Sequence, residues 1–245
     1  MDSKQVKDYF ESTFVLSQYA QAARYMGLWR SEEKIFTRVF EREASLLELG
    51  CGAGRIAFGL HELGYRHILG TDFSKGMILC ARRIAKILDY SIPFRIADAT
   101  DLEFEDNVFD GAIFGFNGLM QIPKSARREQ ALREILRVIR PGAWFVFTTH
   151  DRQDSEHRDF WLAEEQRWKH GQQSEELDDF GDRVQHIEND IFFIHIPTAQ
   201  EVQALLERVG FRIEATVLRS EIAEEPQDVT EFSDECRFWV VQKPG

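Results

Sequence analysis

The sequence predicts an α/β domain, doubly wound, with a mostly parallel sheet covered on both faces. Two observations carry this. Short apolar runs alternate with segments of helical period, and each of the first five runs ends at or near a glycine, aspartate, asparagine or histidine, as the carboxyl edge of a parallel sheet would present them. A length of 245 residues fits one large domain or a core carrying an insertion.

Taken in order, residues 1–43 carry Tyr9, Phe10, Tyr19, Tyr25 and Trp29 on expected helices, a cap over the core. The first strand, residues 45–49, runs into a glycine loop; the second, 67–71, ends at Asp72; the third, 93–97, ends at Asp98. The fourth, 108–114, ends near Asn117, and the fifth, 143–149, ends at His150. Ser74 is placed to cap a helix over 75–88, with Ile78, Ile84 and Leu88 on one stripe. Ser125 would open the next, in which Leu132, Ile135, Leu136 and Ile139 recur at helical spacing until Pro141-Gly142 stops it. Thr198 and Glu201 form a capping box before Val202, Leu205, Leu206 and Val209, and Gly210 closes that helix. Two further strands follow, near 211–219 and 236–242. The expected divisions are a cap (1–43), a core (44–150), an insertion (151–190) and the C-terminal part of the sheet (191–245).

Composition excludes several functions. With 42 acidic against 30 basic residues the net charge is −12, which argues against a partner with a phosphate backbone. No stretch has the roughly 20 apolar residues of a membrane span, and MDSKQVKDYF is no signal peptide, so a cytoplasmic location is expected. Cys51, Cys80 and Cys236 are widely spaced and read as packed thiols, with neither a disulfide framework nor a metal pattern.

In such sheets ligands bind where the strands end. After the first strand the chain reads Glu48-Leu-Gly50-Cys51-Gly52-Ala-Gly54-Arg55. Alternate glycines let backbone approach a ligand closely. A dinucleotide fingerprint would need its third glycine at position 55, where Arg55 stands. The pattern Glu48-x-Gly50-x-Gly52-x-Gly54 instead resembles the first motif of the class I S-adenosylmethionine-dependent methyltransferases, and Asp72 and Asp98-Ala99 at the next two strand ends agree with it. The chain as a whole is similar to bacterial small-molecule enzymes of that class, including GFNGLMQIP at 115–123.

The resemblance implies a Rossmann-like, seven-stranded sheet with its last strand antiparallel, and S-adenosylmethionine as cofactor. Glu48, Gly50, Cys51, Gly52 and Gly54 would line the methionine and ribose end, with Asp72 on the ribose. Phe73 and Met77 would flank the adenine, Asp98 and Ala99 would read its edge, and Tyr19 or Tyr25 would reach the methionine carboxylate. His150 is the candidate general base, against a loop-orienting role; Asn117 would orient the acceptor or touch the cofactor, against a turn role. His195, in the run 191–197, is expected on a covering strand, where it could face the pocket or be packed or at the surface. The Asn/Asp-Pro-Pro block of amide and base methylation is absent after the fourth strand, and the magnesium-binding acids of catechol-type enzymes find no match, so no metal is implied. The implied reaction is methyl transfer to an oxygen or nitrogen of a small molecule. A nucleic-acid methyltransferase and a non-catalytic S-adenosylmethionine-binding protein are the alternatives.

Charge is unevenly placed. Residues 1–150 are near neutral at +1, residues 151–190 carry −8, and 221–235 hold seven acids and no base. If the insertion, with Phe160, Trp161, Trp168 and Phe180, is a lid beside the acceptor, a neutral or cationic acceptor is expected.

Overall fold

The computed structural model describes residues 2–153, 157–187 and 190–245. Seven strands form one sheet: β1 (Leu46–Leu49), β2 (Ile68–Asp72), β3 (Phe94–Ile96), β4 (Phe109–Phe114), β5 (Ile139–Thr149), β8 (Arg212–Leu218) and β9 (Arg237–Gln242). Their order is β3-β2-β1-β4-β5-β9-β8, with β9 antiparallel to both neighbours and the first five mutually parallel. The order reverses between β1 and β4, so a crevice opens beyond their carboxyl ends.

Helices cover both faces. On one lie α4 (Arg55–Glu62) and α5 (Lys75–Leu88), whose Ile78 and Ile84 are buried; on the other lie α6 (Ser125–Val138) and α8 (Ala199–Val209). Leu88 departs from the expected stripe and is exposed. Ser74 caps α5 by accepting the Met77 N–H at 3.1 Å, and the Thr198–Glu201 capping box opens α8. No helix among the described residues is long and apolar enough to cross a membrane.

Two expectations need correction. Pro141-Gly142 does not end α6; the helix stops at Val138, and both residues lie inside β5. They fit there because the β4–β5 register jumps from Phe109↔Ile139 to Gly111↔Trp144, a bulge that requires no N–H from Pro141 and accommodates Gly142 at φ +79°. Ser125 opens α6 as expected, as its first helical residue. Its N–H goes to Asp179 Oδ2 at 2.9 Å, a carboxylate from the insertion that also takes Arg128 at 3.0 Å. Finally, residues 191–195 are not in the main sheet, because β7 (Asp190–His195) pairs only with β6 (Asp182–Ile187) in an antiparallel ribbon.

The cap consists of α1 (Ser3–Glu11), α2 (Thr13–Tyr25) and α3 (Arg30–Val39). Val6, Phe10 and Val15 pack with Met77 of α5 and Phe193 of β7, which holds the ribbon over the crevice. Glu11 fastens α1 to the start of α5, accepting from Ser74 Oγ at 3.1 Å and Gly76 N–H at 3.0 Å. In the insertion, α7 (Arg158–Lys169) places Trp161 and Trp168 edge-on to Phe180, so its aromatics pack on one another. Between β8 and β9 run two short helices, α9 (Arg219–Ile222) and α10 (Gln227–Phe232). Their connection is tied to α3 by Glu225, which accepts from the N–H groups of Arg30 (3.0 Å) and Ser31 (2.8 Å).

Candidate functional site

The loop after β1 turns through left-handed backbone at Gly50 (φ +57°) and Gly52 (φ +53°). A Cβ would come within 2.6 Å of Phe114 at the first and 2.9 Å of Tyr19 at the second, so both positions require glycine for conformation and for space.

A cavity lies over the ends of β1, β2 and β3. Glu48, Gly50, Cys51, Gly52, Asp72, Phe73, Met77, Asp98, Ala99 and Tyr19, all candidates from the sequence, line it. Gly54 stands outside its wall; it begins α4 and packs against Phe58 and Phe94. Tyr25 is not in the wall either: its ring is 76% exposed and stacks with Arg24. Its place on α2, one residue before the C-terminal cap, turns it to solvent, a direction that residue type alone does not reveal.

The carboxylates differ in state. Asp72 accepts Gly52 N–H on Oδ2 at 2.9 Å and Ser74 N–H on Oδ1 at 2.8 Å, and burial pushes its pKa up to about 6 against those bonds. A carboxylate has roughly four acceptor positions, so Asp72 keeps room for a ligand hydroxyl. Glu48 is 2% exposed and its Oε2 has no hydrogen-bond partner. Burial raises its pKa to about 8, with Arg55 opposing the rise. Asp98 accepts Thr100 N–H (2.8 Å) and Oγ1 (2.7 Å) on Oδ1 and Arg127 (3.2 Å) on Oδ2, leaving one position for a donor. Burial holds the Cys51 thiol neutral, well above its ordinary pKa.

Arg55 has a role that its exclusion value in the sequence did not reveal. It binds Glu32 through two bonds of 2.6 and 2.7 Å, donates to Gly27 O at 2.9 Å, and lies 4.6 Å from the Trp29 ring centre. It thereby clamps the cap to the glycine loop. Arg127, Gln121, Phe116 and Phe232 also line the cavity and were missed, because they come from loops and helix ends without motif character.

A second cavity, open to solvent, adjoins the first; Tyr19, Phe116, Gln121 and Phe232 line both. His150 and Asn117 are in its wall, so Asn117 lies on this side and not in the first cavity. His150 Nδ1 is 2.9 Å from Glu235 O, which can only accept, so Nδ1 carries the proton. Its Nε2 accepts from Asn117 Nδ2 at 3.0 Å, while Asn117 Oδ1 is buried without a partner. His195 lines neither cavity; it is buried and paired with Asp182 Oδ1 at 2.8 Å. Among the described residues of the insertion, Asp151 and His157 alone reach the second cavity.

Residues 46–142 match the family model for a methyltransferase domain. That stretch is therefore similar to a methyltransferase domain. Relatives of the chain include the demethylmenaquinone methyltransferase of Clavibacter sepedonicus, 37% identical over 102 residues, which are 41% of this chain and 39% of the relative. Another, of the same name, comes from Bacteroides fragilis and is 30% identical over 161 residues, 61% of this chain and 63% of its own. The chain thus spans between about two fifths and just under two thirds of these relatives. A solved structure described as an S-adenosylmethionine-dependent methyltransferase from Methanosarcina mazei shares the fold with a TM-score of 0.69 at 22% identity, over 86% of this chain and 97% of that one.

Proposed function

We propose that this protein moves a methyl group from S-adenosylmethionine to an oxygen or nitrogen of a small molecule, neutral or cationic, without a metal. The observation that carries the reading is the set of acids from three successive strand ends around one cavity, with a buried oxygen of Glu48 left without a donor. Such a set suits a ligand that brings hydroxyls, an amino-bearing base and positive charge, and it repels phosphates.

When bound, S-adenosylmethionine supplies a methyl group on a cationic sulfur whose departure as a thioether needs no acid. The residues divide the remaining work. Glu48 faces the ammonium end, Asp72 accepts from ribose hydroxyls, Phe73 and Met77 flank the base, and Asp98 with Ala99 reads its edge. Tyr19, Phe116, Gln121 and Phe232 stand between the cavities, where donor and acceptor would be aligned and water kept out. Alignment alone can contribute about 7–11 kcal/mol.

His150 and Asn117 manage the acceptor's proton. Nε2 can take it once the Asn117 amide turns by half a revolution, which brings the unpartnered Oδ1 to the new N–H and leaves Nδ1–H on Glu235 O. Residues 151–190 act as a lid that contributes Asp151 and His157 to the acceptor side.

Titration calorimetry with S-adenosylmethionine and S-adenosylhomocysteine, then mass spectrometry of an acceptor panel, tests the proposal. Binding of both with methyl transfer is expected. Preferential binding of NAD, or no affinity for either sulfur ligand, would sink it.

A further inference from the structure

Resting on the reading that the second cavity takes the methyl acceptor, we propose that the acceptor is an amine with an apolar body, bound as its ammonium ion and selected by Glu231 and Asp234. Among the described residues four carboxylates line this cavity: Asp151, Glu231, Asp234 and Glu235. Two are compensated. Asp151 meets Arg237 Nε at 3.2 Å, and Glu235 takes the N–H groups of Cys236 and Ser220 and lies 3.7 Å from Arg219 Nε. The other two are not: Glu231 receives only the amide of Gln227 at 2.7 Å, and Asp234 has no side-chain partner among the described residues.

Arg219, the only Lys or Arg of that wall among the described residues, is buried and stacked 5.4 Å from the Trp29 ring centre. The histidines facing the space are His150, with both ring nitrogens engaged, and His157. The rest of the wall brings five aromatic rings, those of Tyr9, Tyr19, Phe116, Phe192 and Phe232. Ring faces attract cations, and aromatic walls beside uncompensated carboxylates are the chemistry that recognises ammonium groups. An independent observation agrees: Asn117 is 3% exposed, lines the same cavity, and holds an Oδ1 that lacks a donor. An N–H of the ligand supplies one. The negative wall also rejects carboxylates and phosphates by repulsion.

These acids come from residues 221–235, the segment with seven acids and no base, so selection by charge belongs to the β8–β9 connection more than to the insertion. For transfer, the Asn117 amide turns away from His150 Nε2, and the ammonium gives one proton to that nitrogen. The freed nitrogen lone pair forms the N–C bond as the S–C bond breaks and its electrons stay on sulfur. The products are the methylated ammonium, S-adenosylhomocysteine and one proton released from His150 to water.

The test uses the intact protein saturated with S-adenosylhomocysteine and three probes on one skeleton: 3-phenylpropylamine, 3-phenylpropanol and 3-phenylpropanoate, titrated by calorimetry at neutral pH. The amine is expected to bind at least tenfold more tightly than the alcohol, with the carboxylate weakest, and its advantage to shrink at high salt. In a Glu231→Gln/Asp234→Asn variant the advantage of the amine should fall at least fivefold, with alcohol affinity retained. Equal or tighter binding of the alcohol or carboxylate, an unchanged ratio in the variant, or no binding of any probe at 10 mM overturns the proposal. Absence of S-adenosylhomocysteine binding in the same experiment would instead remove the underlying assignment of the first cavity.

Discussion

The guanidinium of Arg55 and the carboxylate of Glu32 meet in two parallel bonds of 2.6 and 2.7 Å, with Glu32 1% exposed. This pair joins the helix that starts at the glycine loop to the cap. Removing one partner leaves a buried charge, a loss of about 3–5 kcal/mol. Glu32→Gln is therefore expected to lower the melting temperature by at least about 6 °C, and to weaken S-adenosylmethionine binding because Arg55 lines the cavity proposed for that ligand. A melting curve like the parent's would show that the clamp is dispensable.

Asp72 offers a direct test of the ribose assignment. A hydrogen bond to a charged group contributes about 1.5–3 kcal/mol, so Asp72→Ala should weaken S-adenosylmethionine binding at least tenfold. Since Asp72 also takes the N–H groups of Gly52 and Ser74, Asp72→Asn should be measured beside it to separate loop damage from ligand contact. Unchanged affinity in a folded variant would end the assignment.

Burial holds Glu48 protonated up to a pKa of about 8, above the ordinary carboxylate value of 4.5. The native state then binds a proton that the unfolded chain has lost, so this group lowers stability progressively as pH rises from 4.5 to about 8. Glu48→Gln should flatten that part of the stability profile in urea titrations. Binding of a cationic ligand favours the ionised form, so affinity for S-adenosylmethionine should rise with pH up to about 8, with proton release visible as a buffer-dependent heat. A pH-independent affinity with no such heat would contradict the placement of Glu48 against positive charge.

His150→Ala is expected to lower kcat by about 10²-fold or more while leaving S-adenosylhomocysteine affinity intact, because general-base catalysis contributes about 10²–10⁴-fold and His150 lines only the second cavity. Asn117→Ala should lower kcat as well, since the imidazole loses the amide that serves it. Full activity of the His150 variant would remove it as the base.

Much of the site was legible because a parallel sheet puts its strand ends on one edge. Glu48, Asp72 and Asp98 are each the acid nearest a strand end, and spacing alone brought them together. The helix over 75–88 was legible because Ser74 and the apolar stripe are local signals. Three features were not. Pro141-Gly142 reads as a helix stop, yet a bulge fixed by pairing with β4 absorbs it. Residues 191–195 have the apolar character of a sheet strand, but they pair with the strand immediately before them, β6, in a ribbon apart from the main sheet, and apolar character does not tell which strand is the partner. Tyr25 and Tyr19 are the same residue type on one helix; the direction each faces depends on what α2 packs against.

By itself the sequence determined the sheet, the glycine loop, the acids at three strand ends and the family they resemble, since each depends on periodicity or on residues close in the chain. Only the tertiary structure decided that Arg55 clamps the cap, that His150 is flanked by Asn117 and Glu235, and that residues 221–235 wall the second cavity. The physical reason is range. Those contacts join residues 23, 33 and 85 positions apart, and no local propensity encodes a side chain's distant partner.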